Sequence, residues 1–264
     1  MSVFSQTVYF RDRTIRGKVI SNEGIALEYV NISIEHANLG TMSFRNGFYE
    51  LEIPSRYLDD TLTFSYVGYS TRRIAIRDIE KDQKIEMFSM SYPISEVVIT
   101  AANPKRQKIG ITMHNSMLGI MAEHNEWAIF MSPRKLPAKI EKLNLYLNWV
   151  EQRDDSLYFR INFYTVTDSM PGNNLLMKNI VIRHLVQKGW NEFDLRSFNV
   201  IMAENFFVSI EWLTDLDKKA DGKFHYGGVL MRPRRIYRRN TSIDAWQKFP
   251  SITISINLEI LLIY

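Results

Sequence analysis

The clearest chemical feature of the sequence is a run of arginines near position 235. Five of them fall within eight residues: Arg232, Arg234, Arg235, Arg238 and Arg239. A guanidinium group presents a planar fork of N–H donors, which pairs with a phosphate or a carboxylate through two hydrogen bonds. The run is therefore a candidate site for an anionic glycan, a lipid headgroup or an acidic protein surface.

The same run has a second interpretation that needs no ligand. In a strand, Arg235 and Tyr237 would share one face, and Arg234, Ile236 and Arg238 the other. Charged side chains on an edge strand also prevent unwanted pairing with other strands. A binding strand and a solvated edge strand thus remain alternatives, and we expect no nucleic acid partner.

Tryptophan is the second residue type of interest, because its flat apolar face can stack on a sugar ring. Trp149 and Trp212 fall in phase with apolar strand positions, so we expect them in a core. Trp190 and Trp246 stand in polar, turn-like contexts. These two are the candidates for ligand contact.

Catalytic motifs are not found. The sequence has no Gly-x-Ser-x-Gly elbow, no His-Glu-x-x-His helix, no phosphate-binding loop, no dinucleotide glycine fingerprint and no cysteine. We therefore expect a protein that is not an enzyme and takes no cofactor. A hydrolase remains the alternative, with a carboxylate pair such as Glu204 and Glu211.

Metal binding is not expected either. The five histidines lack ligand spacing, although Glu123 and Glu126 stand near His124. The acidic stretch around Asp215 resembles a calcium loop, but Lys218 follows where further oxygen ligands would be needed. We interpret it as a solvated loop.

Composition indicates a folded protein rather than a disordered one. The chain has 264 residues, of which 45% are hydrophobic and 23% charged, with a net charge of +4. No run approaches the roughly 18–20 apolar residues of a membrane-spanning helix. The length suits two domains of ordinary size.

Alternating apolar and polar residues predict strands throughout. Val30, Ile32 and Ile34 alternate with polar residues, and the same rhythm recurs at 49–53, 62–66, 143–149, 157–163, 206–212 and 252–258. Asn46-Gly47 is typical of a tight hairpin turn, since both residues tolerate positive φ. The fold class predicted is all-β, with two β-sandwich domains in tandem: residues 1–101, and residues 102–264 after a polar connection at 101–106.

The first hundred residues resemble the carboxypeptidase-regulatory-like domain of Bacteroidota, a transthyretin-like β-sandwich. The residues that carry the resemblance lie within 13–101: Ile15-Arg16-Gly17-Lys18-Val19, Ala26 to Ile32, Gly40-Thr41, Asn46-Gly47-Phe48-Tyr49 and Leu62 to Tyr69. Ile94 to Ala101 looks like the segment that follows this domain in many outer-membrane proteins. The second unit resembles, more weakly, a companion sandwich of jelly-roll or galactose-binding-like topology.

The resemblance implies a fold and export, not an activity. We expect a non-catalytic periplasmic or cell-surface protein that binds a polysaccharide or a protein partner, with its signal peptide missing or truncated in this chain. A purely structural role in envelope assembly is the other alternative.

Overall fold

Regular structure in this protein is almost entirely β-strand. The computed structural model describes residues 12–35, 37, 39–90, 104–121, 125–151, 156–213, 224–230, 235–240, 244–249 and 252–263. Helical structure in these ranges is limited to three-residue 3-10 turns at Arg45–Gly47, Ser55–Tyr57, Ile76–Asp78 and Arg196–Phe198. The prediction of an all-β protein is confirmed. Among the described residues, no helix has the length and apolar character needed to cross a membrane.

The chain divides into two compact units. One is built mainly from Met1–Ser91, and the other from Tyr92–Asn240 and Ala245–Tyr264. Each has its own hydrophobic core.

The first unit consists of two sheets packed face to face. Its described strands are β1 (Arg13–Ser21), β2 (Asn31–Ile34), β3 (Leu39–Met42), β4 (Phe48–Ile53), β5 (Thr61–Ser65), β6 (Arg72–Ala75) and β7 (Gln83–Met87). One sheet has the order β4-β1-β7, with β1 and β7 parallel, and the other has the antiparallel order β3-β2-β5-β6. Val19, Tyr49 and Phe64 are fully buried between the sheets.

Buried and exposed residues alternate along β4, as predicted, but not along β2 and β5. Tyr49 and Ile53 are buried, whereas Glu50 is exposed. On β2 and β5 the polar side chains of Ser33 and Thr63 are buried as well, at 2% and 0% exposure. Strict alternation would place these two side chains on a face in contact with water, and the structure contradicts that.

The Asn46-Gly47 turn has the predicted backbone but a different role. Asn46 and Gly47 have φ of 61° and 73°. They join β3 of one sheet to β4 of the other, so they do not form a hairpin within one sheet. A Cβ on Gly47 would lie 2.2 Å from the carbonyl oxygen of Val19, and this close approach requires glycine.

The second unit is a larger sandwich of two sheets. Its described strands are β8 (Lys105–Gly110), β9 (Asn115–Met121), β10 (Glu126–Met131), β11 (Ala138–Val150), β12 (Leu157–Thr167), β13 (Met170–Asn174), β14 (Ile180–His184), β15 (Gly189–Asp194), β16 (Ile201–Met202), β17 (Phe206–Leu213), β18 (Phe224–Val229), β19 (Ile236–Arg239), β20 (Gln247–Lys248), β21 (Thr253–Ile254) and β22 (Ile256–Leu262).

The seven-stranded sheet has the order β13-β12-β17-β10-β19-β20, and β14 continues the β13 edge along β12. The eight-stranded sheet has the order β21-β18-β11-β22-β8, with β15 and β16 also on β11 and β9 on β18. Trp127, Phe159 and Phe206 from the first sheet meet Leu145 and Phe224 from the second in one core. We call the faces turned towards this core inner and the opposite faces outer.

We predict that Gly47→Ala destabilises the first unit more than Gly24→Ala does. Both glycines have positive φ, at +73° and +79°, which costs an alanine about 1–2 kcal/mol. Only the Cβ at position 47 meets backbone, which adds about 1–3 kcal/mol of overpacking, whereas nothing lies within 4 Å at position 24. Urea unfolding of both variants measures the difference. Equal losses would show that the approach to Val19 does not matter.

Candidate functional site

Strand β19 divides the arginine run between two faces. Ile236 is buried in the main core, and Tyr237 is buried in a separate cluster on the outer face of the seven-stranded sheet. Arg238 therefore lies on the inner side and Arg235 on the outer side, as the alternation predicted for these residues. The described arginines of the run therefore do not form a single basic surface.

The half-buried Arg235 and Arg238 contact aromatic rings. The guanidinium carbon of Arg235 lies 4.1 Å from the ring centre of Phe130, and that of Arg238 lies 5.7 Å from Trp127 and 6.0 Å from Phe249. Strand β19 pairs with β10 on one side and with β20 on the other, so it is not the solvated edge strand of the second interpretation.

The other candidates of the run differ in what the structure says of them. Arg232 and Arg234 lie outside the described residues. The side chain of Arg239 is only 10% exposed.

Four charged side chains form a row across the outer face of the seven-stranded sheet. Arg160 of β12 is opposite Glu211 of β17, Glu211 is opposite Glu126 of β10, and Glu126 is opposite Arg239 of β19. Their side-chain exposures range from 0% to 10%. Two carboxylates thus stand side by side in a buried row, with an arginine beyond each of them.

Glu126 is the most heavily bonded member of this charged row. Its Oε2 accepts a hydrogen bond from Nε of Arg239 at 2.7 Å. Its Oε1 accepts hydrogen bonds from the hydroxyl of Tyr164 at 2.7 Å, from Nδ2 of Asn162 at 3.0 Å and from the hydroxyl of Ser209 at 2.5 Å. Such bonds replace the hydration that a buried carboxylate loses.

The two carboxylates have opposite pKa shifts. Burial by itself would raise the pKa of Glu126, but the charge of Arg239 and the hydrogen bonds from Ser209 and Tyr164 together lower it. Burial also raises the pKa of Glu211. The charge of Arg160, whose Nη1 lies 3.3 Å from Oε2 of Glu211, opposes this rise only in part, and the charge of Glu126 adds to it. Relative to the unfolded chain, folding therefore shifts Glu126 towards its ionised form and Glu211 towards its neutral form.

The structure does not bring together the carboxylate pair suggested from the sequence. Glu204 is exposed on the turn before β17, and Glu211 lies near the other end of that strand. Seven residues of extended chain span about 23 Å, well beyond the separation of about 5–10 Å in a glycosidase pair. The carboxylate beside Glu211 is Glu126, which sequence inspection noted only as a neighbour of His124.

A group of aromatic side chains lies on the outer face of the eight-stranded sheet. Trp149 and His225 are opposite each other on β11 and β18, with ring centres 5.2 Å apart. Tyr146 and Trp190 are opposite each other on β11 and β15, at 5.3 Å, and His114 stacks on Tyr146 at 3.8 Å. We call these five residues the aromatic surface.

The backbone around Tyr146 explains how this arrangement fits. A Cβ at position 227 would lie 2.4 Å from the ring of Tyr146, so Gly227 makes room for it on the neighbouring strand. His225 and Gly227 are two residues apart on β18, which places the Trp149 pair and the Tyr146 cluster about 7 Å apart along the strands. Trp149 is 44% exposed, His114 is exposed and Trp190 is half-buried.

The tryptophan predictions have mixed outcomes. Trp212 is buried, as predicted, with 4% exposure. Trp149 is not in the core, and that prediction is wrong. The half-buried Trp246 packs against Tyr164 at 5.5 Å and lies 4.2 Å from the guanidinium of Arg239, so it borders the charged row.

Potential metal ligands are dispersed in the described ranges, where no three His, Cys, Asp or Glu residues group as a metal site would require. Asp215, Asp217 and His124 lie outside those ranges. His184 is hydrogen-bonded to Asn191 at 3.2 Å.

Comparison with known families finds a match over part of the chain. Residues 15–99 match the CarboxypepD_reg-like domain family. This agrees with the resemblance carried by residues 13–101 and covers the strands of the first unit, but not the second. No curated protein matches the chain.

Three solved structures that match the chain are distant from it in sequence. The cysteine protease and lectin-like domains of Cwp84, a surface layer associated protein of Clostridium difficile, match 77% of this chain and 46% of that one, with 9% identity and a TM-score of 0.43. Clostridial cysteine protease Cwp84 after propeptide cleavage matches at 10% identity, 77% and 51% coverage and a TM-score of 0.41. The infectious bursal disease virus Gt strain structure has 8% identity, 96% and 64% coverage and a TM-score of 0.24. The chain spans about half the length of the two Cwp84 structures.

We predict opposite pH dependences for substitutions of the two row carboxylates. The lowered pKa of Glu126 gives a stabilisation that is present above the unfolded value of about 4.3 and lost as the pH falls through the folded value. The raised pKa of Glu211 gives a stabilisation of the folded state that is present below about pH 4.3 and is lost as the pH rises through the folded pKa. Unfolding free energies of Glu126→Gln and Glu211→Gln, measured between about pH 3 and pH 7, test this.

Relative to wild type, Glu126→Gln should lose about 3–5 kcal/mol at neutral pH, because Arg239 is left buried without its counter-ion, and the loss should shrink in acid. The loss from Glu211→Gln should instead grow as the pH is lowered through the raised pKa of Glu211 towards the unfolded value of about 4.3. Glu192→Gln, in an exposed pair with Lys142, is the control and should change little. Parallel profiles for the two row variants would contradict the assignment.

Proposed function

We propose that this chain is a non-catalytic binding module of the cell envelope and that its second unit holds a carbohydrate against the aromatic surface. The CarboxypepD_reg-like match of the first unit supports an exported, periplasmic or cell-surface location. The observation that carries the ligand class is the pairing of Trp149 with His225 and of Trp190 with Tyr146 on one outer sheet face.

Aromatic side chains on an outer sheet face suit a ligand with flat apolar faces and polar edges. Rings of this kind contribute large contact areas with little loss of rotamer freedom, and those of Trp149 and Trp190 are partly exposed. Two stacking positions about 7 Å apart along the strands suit an extended chain of several sugar rings better than a single ring.

The polar surroundings also fit a hydroxyl-rich ligand. The same outer face continues into exposed ion pairs, including Lys142 with Glu192 at 2.8 Å and Lys108 with Glu259 at 3.1 Å. An interface with an aromatic centre and a polar rim is typical of specific recognition.

A purely structural role in envelope assembly is the second candidate. The buried charged row favours it, because a network of this kind stabilises one strand register without requiring a ligand. A hydrolase is the third candidate. The carboxylates of Glu126 and Glu211 are both buried and engaged with arginines, so they offer it little support.

We predict that Trp149→Ala and Trp190→Ala each weaken carbohydrate binding by at least about tenfold. Wild type is first screened on an array of neutral and acidic oligosaccharides, and the strongest ligand is then measured by isothermal titration calorimetry. Phe198→Ala is the matched control, because Phe198 is 39% exposed and lies outside the aromatic surface. Binding that survives both tryptophan substitutions would exclude this surface, and release of shortened oligosaccharides by wild type would favour the hydrolase.

A further inference from the structure

One lateral edge of the seven-stranded sheet differs from the other described edges in its side chains. Strand β13 and then β14 follow one another along β12, and β14 pairs only with β12 within the described ranges. The edge of β14 that points away from β12 therefore presents main-chain N–H and C=O groups that are not paired with any described strand.

Exposed apolar side chains concentrate along this edge. Four of the eight large hydrophobic residues that the described part of the second unit exposes fall between positions 170 and 185: Met170 at 43%, Leu175 at 43%, Met177 at 40% and Leu185 at 56%. Val181 and Ile182 of β14 itself are only half-buried. An uncovered apolar edge is a liability that proteins normally avoid.

The charge of this segment has one sign. From Ser169 to Asn191 the sequence contains Lys178, Arg183 and Lys188 but no aspartate or glutamate. The edge strand β8 contrasts with it, since Arg106 and Lys108 there pair with Glu141 and Glu259. Among the described residues, no carboxylate forms an ion pair with Lys178 or Arg183 as Glu141 and Glu259 do with the basic residues of β8.

An unsatisfied amide lies at the start of β14. Both Oδ1 and Nδ2 of Asn179 are shielded from solvent, and neither has a hydrogen-bond partner among the residues that the structure describes. A buried donor or acceptor without a partner is costly, and native proteins have few of them. The start of β14 therefore carries hydrogen-bonding capacity that the described residues do not meet.

We propose that the β14 edge binds an extended peptide strand of a protein partner, in which apolar residues alternate with acidic ones. Ile180 and Ile182 point to the inner face and Val181 and Arg183 to the outer face. A strand paired with β14 therefore places its apolar residues beside Ile182, where they extend the core, and its carboxylates beside Arg183. The bonds to the backbone give affinity, and this alternation gives specificity.

This site is separate from the aromatic surface, so the two are tested independently. The probe is a fluorescein-labelled ten-residue peptide in which valine alternates with glutamate, and fluorescence anisotropy measures its binding to the whole chain. A peptide in which valine alternates with lysine serves as the charge control. We expect the acidic peptide to bind at least about tenfold more tightly than the basic one.

Arg183→Glu and Leu185→Glu, both at exposed positions, should each weaken binding of the acidic peptide by about tenfold or more. Lys105→Glu, the same charge reversal on the edge strand β8, and Trp149→Ala should leave it unchanged. Circular dichroism checks that each variant is folded. Hydrogen exchange on wild type provides a readout that needs no variant, and we expect the peptide to slow exchange of the amides of residues 180–184.

Three results would overturn the proposal: equal binding of the two peptides, exchange protection elsewhere with none at β14, or self-association of the chain that Arg183→Glu abolishes while neither peptide binds. The last of these would assign the edge to a second copy of this chain.

Discussion

Glu126 carries a negative charge on the outer face of a sheet where its side chain has no contact with solvent. A buried carboxylate is tolerated only when charge and hydrogen bonds replace its lost hydration. Arg239, Tyr164, Asn162 and Ser209 supply them from three other strands, β19, β12 and β17. The register of four strands is thereby linked to one group, because a shift by one residue would turn Glu126 into the apolar core.

This constraint decides how the arginine run is used. Arg239 is committed to Glu126 and to the hydroxyl of Tyr164, which it reaches at 2.8 Å, so it is not available to an external anion. Arg235 and Arg238 lie on opposite faces of β19 and cannot hold the same ligand. The charged row occupies much of the outer face of the seven-stranded sheet, where its members bind one another. The outer face of the eight-stranded sheet carries the aromatic surface, in which Trp149 and His114 are exposed. The two sheets of one sandwich therefore differ in what they offer to a partner.

The sequence predicted the all-β class, the family resemblance of the first unit and the division of β19 between two faces. Each of these follows from local alternation or from a contiguous pattern of residues. The prediction failed for Trp149, which continues the rhythm of Leu143, Leu145 and Leu147. The register of β11 against β18 shifts between Leu147 and Trp149, and this irregularity turns the indole outward. The charged row was also missed, since its members come from positions 126, 160, 211 and 239 and become neighbours only through strand pairing. Non-local pairing leaves no signal in one sequence, whereas alternation does.

The connection between β14 and β15 bears on how the two proposed surfaces relate. The loop from His184 to Trp190 leaves the seven-stranded sheet and enters the eight-stranded one. The buried Asn191 holds this loop, because its Oδ1 accepts a hydrogen bond from the backbone N–H of Gln187 at 2.9 Å and its Nδ2 donates to the carbonyls of Gln187 and Gly189 at 2.7 and 3.0 Å. Gly189 supplies the positive φ, at 106°, that the loop needs just before Trp190. Coupling between two sites requires an element with two discrete arrangements, and the donors and acceptor of the Asn191 amide are all bonded in the one observed. A strand added to β14 and a ligand on Trp190 therefore act on rigid, neighbouring parts of one scaffold, and each is expected to bind without altering the affinity for the other.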